Sequence, residues 1–433
     1  MADLHRVIGI DLGTTFSAVA TYNFAKQDVE IIPNRQNERT TPSVVYIGKD
    51  GAVSVGQPAR ERLARDPGGV IFEAKRLMGE SGPGGRPKIH AAGREFEPEV
   101  ISAYILKELK AQAELRIGEP VHDAVITVPA YFREPQKNAT REAARIARLN
   151  PRLVINEPTA AAVAYGLESG KSQTFVVYDF GGGTFDVSVV RVVDLDTVEI
   201  LGTGGDARLG GGDIDAALLK WVFDKLRVET GRDLSTDKRL VGRMRLEAEK
   251  MKIRLCNEQR DQEWFVDRPT DDVDEATFLF PKAHFDALVR QLLDRTFDQV
   301  DVALSSAREK HDLSADDIDA FVLVGGSSKI PQVRDLLAER FRKPLKSDLN
   351  PDEIVALGAA RMGVQFTPSL GPELRDGVDL KLGAPAAGQS QATAPDIIDV
   401  VSHTLGIGLK DDVYDALIPK DHAIPHEVTR SGY

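Results

Sequence analysis

The 433-residue chain has a single cysteine, Cys256, so it can form no internal disulfide and no cysteine-based zinc cluster; such usage fits a reducing compartment. No apolar run approaches the ~18 residues that a membrane helix needs. The opening MADLHRVIGID sets Asp3 and Asp11 around only a few apolar residues, unlike a secretory leader. The expectation is therefore a cytoplasmic protein without a membrane partner. Positive charge is short as well: 55 Lys and Arg against 67 Asp and Glu leave a net charge of −12. That balance argues against nucleic acid or an anionic surface as the main partner, and any bound anion needs a local site of its own. What is present is ordinary for a globular chain, with 42% hydrophobic, 28% charged and 6% aromatic residues. At roughly 150 residues per domain, the length predicts about three units.

The most informative pattern is internal. VIGIDLGTTFSAVA (7–20) resembles VVYDFGGGTFDVSVV (176–190), and the aspartates of the two copies, Asp11 and Asp179, stand 168 residues apart. Each copy is an apolar strand reaching an Asp, a Gly/Thr turn and a second apolar strand, the pattern of a β-hairpin. A hairpin repeated at this distance predicts two lobes of similar topology facing each other; no repeat of solenoid length is visible.

DAVITVPAYF (123–132) reads as a buried strand ended by Pro129, followed by a helix over Glu134–Asn150 and by a strand and alanine-rich helix in LVINEPTAAAVAYGL (153–167). Leu240–Glu258 and Lys282–Lys310 read as long helices. Ala320–Phe341 reads as strand, Gly-Gly loop and helix, and Leu349–Gln365 as a helix with an Asn-Pro start. Strands alternating with helices predict an α/β fold with helix-covered mixed sheets. From Thr367 to Pro395 the composition turns to Pro, Gly, Ala, Gln and Ser, as in a linker. DIIDVV (396–401) follows, and then a tail with strand-like pieces near 405–409 and 413–418.

A Gly/Thr turn between strands can aim several backbone N–H groups at one point, which suits a phosphate. Gly13-Thr14-Thr15 and Gly181-Gly182-Gly183-Thr184 both fit, and opposed loops would grip a polyphosphate from two sides. Taken singly, each is equally a plain hairpin turn. Asp11, Asp179 and Asp186 beside them are acceptors suited to a hydrated Mg²⁺. Gly325-Gly326-Ser327, between strand and helix, resembles the base-and-ribose end of a nucleotide site. Neither GxxxxGK[ST] nor a kinase GxGxxG is present, so the phosphate grip is not that of a P-loop.

These motifs, with FEAKRLMG (72–79), INEPTAAAVAYGL, GDARLGGGDID (205–215), EAEKMKIRL (247–255) and NPDEIVALGAA, are similar in kind and order to those of the seventy-kilodalton heat-shock chaperones of the DnaK type. The resemblance implies an actin-like ATPase fold, two lobes each with a ribonuclease-H-like core, and a central cleft for ATP or ADP with Mg²⁺, K⁺ being an optional further ion. It implies catalytic roles for Lys75 at the γ-phosphate, Glu157 and Thr184 around the attacking water, and Asp179 and Asp186, with Asp11, in the water shell of the metal. As nucleotide contacts it implies Asp11, Gly13, Thr14, Thr15, Phe16, Gly181, Gly182, Gly183, Gly210, Gly211, Glu249, Lys252, Cys256, Gly325, Gly326, Ser327, Lys329 and Asp352. Pro129 is implied to couple the lobe hinge to the catalytic groups. Outside the family reading, Lys75 is a surface lysine, the aspartates are solvated turn residues, and Cys256 is a small buried apolar residue.

The implied layout is lobe I over 1–170, lobe II over 171–366, a flexible segment and linker over 367–401, and an incomplete start of a substrate-binding β-domain over 402–433. Cys256 departs from the family's usual serine, and the stretch between Gly79 and Asp123 is short. Gln262–Leu279 is acidic and is expected to be less regular than the family's strand pair, which bears on binding of an exchange factor. The resulting expectation is an ATP-dependent chaperone with slow ATP hydrolysis. Its implied partners are a J-domain co-chaperone, an exchange factor and, given a full peptide-binding unit, client polypeptides. An abbreviated ATP-gated regulator, an actin-fold small-molecule kinase and a filament-forming actin relative are the alternatives.

Overall fold

The computed structural model describes residues 6–81, 85–165, 172–193 and 197–366, together with the backbone of short strands at 396–400, 405–408, 414–418 and 423–424. The composition-biased stretch 367–395 lies outside the described residues.

Two sheets share one topology. In the first, the strand order is Asn150–Asn156, Asp123–Val128, Val7–Asp11, Phe16–Asn23, Asp28–Ile31. The first three run parallel, and the last two are antiparallel extensions. In the second, Leu345–Lys346, Ala320–Val324, Gln173–Phe180, Phe185–Val192 and Thr197–Asp206 follow in the same order with the same senses. The repeated hairpin is thus the centre of each sheet. Val, Ile and Phe fill its strands because both faces are covered, so alternation gives way to continuous apolar runs.

Two helices fill the space between the sheets. Glu157–Tyr165 follows the edge strand of the first sheet and packs largely on the second, and Ile354–Gly363 follows the edge strand of the second and packs on the first. Ile354–Gly363 lies in the segment expected as lobe II, yet its neighbours are Val7–Asp11, Phe16–Asn23 and Asp123–Val128. Alanine and glycine dominate both helices for a steric reason. A Cβ on Gly358 would stand 1.8 Å from the Ala160 carbonyl oxygen, so backbone meets backbone where the helices cross.

Two local expectations change. The helix predicted to run to Asn150 stops at Ile146, because Arg148 turns left-handed (φ 58°) and Leu149 donates back to the Ala144 carbonyl at 2.9 Å. The chain then enters its edge strand at Asn150. Gln262–Thr270 and Val273–Phe280 form an antiparallel ribbon in which buried residues alternate with exposed ones, with a register shift between Asp267 and Thr270 of the kind expected for a less regular pair. Trp264, Val266, Ala276 and Phe280 point to the core. Asp396–Val400, expected within the linker, is a strand that pairs in parallel with the outer edge of Thr197–Asp206. Leu405–Gly408 and Tyr414–Ile418 pair antiparallel, near the positions expected for strand-like pieces.

Candidate functional site

The two hairpin turns meet. A Cβ on Gly182 would fall 2.2 Å from Thr15 Oγ1, and one on Gly183 would fall 2.9 Å from Thr14 Cγ2, so the Gly/Thr elbows of the two sheets touch across a cleft. The second elbow is braced from behind: Gly211 N donates to the Gly181 carbonyl at 3.0 Å, Gly212 N to that of Gly182 at 2.7 Å, and Ser327 Oγ to that of Gly181 at 2.8 Å. Arg76, from the first half of the chain, donates to the Gly183 carbonyl. Gly325 takes φ 78°, a left-handed conformation that glycine adopts without strain, and a Cβ there would lie 2.6 Å from Asp179 Oδ1.

Around the elbows is a cavity of about 610 Å³, within the range of small-molecule sites. Its walls include Asp11, Gly13, Thr14, Thr15, Phe16, Lys75, Glu157, Asp179, Gly181, Gly182, Gly183, Thr184, Glu249, Lys252, Cys256, Gly325, Gly326, Ser327, Lys329 and Asp352. Three residues expected at the site are absent from the walls. Gly210 and Gly211 stand behind the second elbow, where Gly212 takes the wall position, and Asp186 lies buried opposite Asp179 in the hairpin register.

At the deep end, Lys75 Nζ lies 2.7 Å from Glu157 Oε1 with both side chains buried, and the ammonium also sits 5.7 Å from the centre of the Phe132 ring. Four carboxylates, those of Asp11, Asp179, Asp186 and Glu157, share this region with one ammonium. Burial, reinforced by the Glu157 charge, raises the Asp11 carboxyl to about 7, against the pull of Lys75 and a hydrogen bond from Thr127. Burial and then Glu157 push Asp179 and Asp186 well above the usual carboxylate range. Burial also raises the Tyr131 phenol, with Asp186 and Glu157 adding to the effect. One Asp186 oxygen is buried without a hydrogen-bond partner. An excess of buried negative charge with an orphaned oxygen suits a divalent cation. Among the described residues no three carboxylate, His or Cys groups converge to ligate a metal directly, so the donor set fits a hydrated ion held through water.

The far end is ordered by cross-chain ion pairs. Lys252 Nζ donates to Asp215 Oδ2 at 2.8 Å and to the Gly211 carbonyl at 3.2 Å, while Arg60 pairs with Glu249. Arg245 stacks over the Phe72 ring at 4.0 Å. Arg60, Phe72, Asp215 and Arg245 line the cavity and were missed in the sequence; Phe72 and Asp215 share motifs with Lys75 and Gly211, whereas Arg60 and Arg245 lie outside the motifs and carry no local cue.

Two lobes of one topology, joined by crossed helices and closed on a cleft between mirrored elbows, define the actin-like ATPase fold. The sequence comparisons narrow this further. The family model described as "Hsp70 protein" matches residues 7–431, and the chain belongs to the Hsp70 family. Among its curated relatives are proteins named "Chaperone protein DnaK" from Thermotoga neapolitana and Thermotoga maritima, each 38% identical over 425 residues. Another is the protein of that name from Thermosipho melanesiensis, 38% identical over 424 residues. Each alignment covers 97% of this chain and 66% of the relative, so the chain spans just under two thirds of their length.

Proposed function

We propose that this chain binds ATP with Mg²⁺ between its lobes, hydrolyses it slowly, and serves as the nucleotide-driven part of a DnaK-type chaperone. The observation that carries this reading is the junction of the two elbows, which line one cavity whose deep end holds the buried Lys75–Glu157 pair. The N–H groups of Gly13–Thr15 and Gly182–Thr184 would bind the phosphates, the Gly181 N–H being spent on the Thr184 carbonyl at 3.1 Å. The Lys75 ammonium would stabilise charge developing on the transferred phosphoryl group. Glu157 would orient the attacking water, assisted by the Thr184 hydroxyl. Asp11, Asp179 and Asp186 would hold the magnesium through water, and the ion supplies neutralisation of the phosphate charge.

In this reading 1–170 and 171–366 are the two lobes, with Ile354–Gly363 returning to pack on the first, and residues from 367 onward connect to a peptide-binding β-domain begun by 402–433. J-domain co-chaperones, exchange factors and client polypeptides are the partners it brings, and the cytoplasm is its setting. Among the described residues no helix is long and apolar enough to cross a membrane. The test is Lys75→Ala: nucleotide affinity nearly retained and turnover reduced by about 10²–10³. Unchanged turnover would remove Lys75 from the mechanism, and failure of the unaltered chain to bind ATP would remove the reading itself.

A further inference from the structure

The ribbon Gln262–Thr270/Val273–Phe280 buries one face in the second-lobe core and leaves the other in solvent. On that outer face the register sets Glu263 opposite Leu279, Phe265 opposite Thr277, and Asp267 opposite Glu275. Phe265 is 53% exposed and Leu279 59% exposed, as diagonal neighbours. Glu263, Asp267 and Glu275 make no hydrogen bond or ion pair through their side chains among the described residues. Two like charges directly opposite each other across a ribbon are destabilising, and large apolar side chains between unpaired carboxylates lack cover. The face has the chemistry of one half of a contact whose other half is cationic and apolar.

The chain carries a surface of that description. Along the helix Glu134–Ile146, Lys137, Arg141 and Arg145 follow at intervals of four residues, which puts them on one side. Ile146, 45% exposed, lies beside them. Part of this charge is already engaged within the chain: Arg141 bonds Glu134 and Asn138, Arg145 pairs with Glu142, and Lys137 has a partner as well. From Lys137 to Arg145 the stripe runs about 12 Å, and from Glu263 to Asp267 the ribbon runs about 13 Å. Since the whole chain carries −12, copies repel one another in most orientations, and this pairing is one that charge favours.

We propose that the outer face of the ribbon docks the Lys137–Arg145 stripe of a second copy. The contact is heterologous, ribbon of one copy to helix of the next, so it propagates head to tail instead of closing on a dimer. Its charged rim makes it weak and salt-sensitive.

Sedimentation velocity of the full chain without nucleotide, over a range of concentration at low and high salt, tests it. The expected result is a concentration-dependent rise in sedimentation coefficient at low salt that high salt abolishes. Reversing the ribbon (Asp267→Arg with Glu275→Arg) or the helix (Arg141→Glu with Arg145→Glu) abolishes the rise in each variant alone, and mixing the two variants restores it. Phe265→Ser weakens it with the charges intact, and melting curves establish that each variant is folded. A chain that stays monomeric throughout, an association indifferent to either reversal, or a mixture that fails to recover it overturns the proposal. None of these readouts depends on nucleotide binding, so the functional reading stands or falls separately.

Discussion

Lys75 Nζ and Glu157 Oε1, 82 positions apart in the chain, meet at 2.7 Å with both side chains buried. Breaking such a pair leaves one charge buried and uncompensated, which costs about 3–5 kcal/mol, whereas replacing both partners by neutral groups is often nearly neutral. Lys75→Met and Glu157→Gln should therefore each destabilise the nucleotide-free protein, and the double variant should recover most of the loss. Denaturant unfolding of the four proteins measures this as a cycle. Strictly additive losses would mean that the pair contributes nothing as a pair.

Asp11 contributes a pH dependence to stability in the absence of a cation, in the same direction as the raised Asp179 and Asp186. Its carboxyl sits at about 7, against an ordinary 3.8, chiefly through burial. Between those values the folded state keeps a proton that the unfolded chain releases, so the contribution is fully present at the acid end and is lost as pH rises toward 7. Asp11→Asn removes this term and should raise the melting temperature at pH 8 more than at pH 5, relative to the unaltered chain. It should also weaken magnesium-dependent ATP binding. An equal shift at both pH values would show that Asp11 is charged throughout.

The duplicated architecture was legible in the sequence because Asp11 and Asp179 each end a strand before a Gly/Thr turn, and that local chemistry is the same in both copies. The placement of Ile354–Gly363 on the first sheet was not. Eight of its ten residues are buried, and a helix apolar nearly all round carries no stripe to say which sheet it faces. Arg60–Glu249 and Arg245–Phe72 were hidden for another reason: each joins residues more than 170 positions apart, and no local pattern encodes their meeting. The ribbon at 262–280 carries a period of two in its buried Trp264, Val266, Ala276 and Phe280, which the acidic residues among its exposed positions obscure in composition.

The helix crossing should tolerate no side chain at 358. Even a methyl group would meet the Ala160 carbonyl at 1.8 Å, and the obstacle is backbone, which cannot rotate aside. Overpacking of this kind costs about 3 kcal/mol or more, or a fall of roughly 3–4 °C in melting temperature for a chain of this size. Because Glu157–Tyr165 begins at a site residue, Gly358→Ala should also weaken nucleotide binding. Calorimetry with and without nucleotide checks both effects, and a melting temperature within a degree of the unaltered chain would place the crossing elsewhere.

Cys256 lines the cavity in the same helix as Glu249 and Lys252, and burial pushes its thiol up to about 11 against the pull of Lys252 and Lys282. At neutral pH it then carries about 100-fold less thiolate than an unburied cysteine, so alkylation should be slow and should accelerate steeply as pH rises from 7 to 10. If the nucleoside end of ATP occupies this part of the cavity, saturating ATP should slow the labelling further, while Lys75→Ala should keep that protection. Labelling followed by mass spectrometry reads a single site, since the chain has one cysteine. Fast labelling at neutral pH would contradict the burial of the thiol, and equal rates with and without ATP would move the nucleoside away from Cys256.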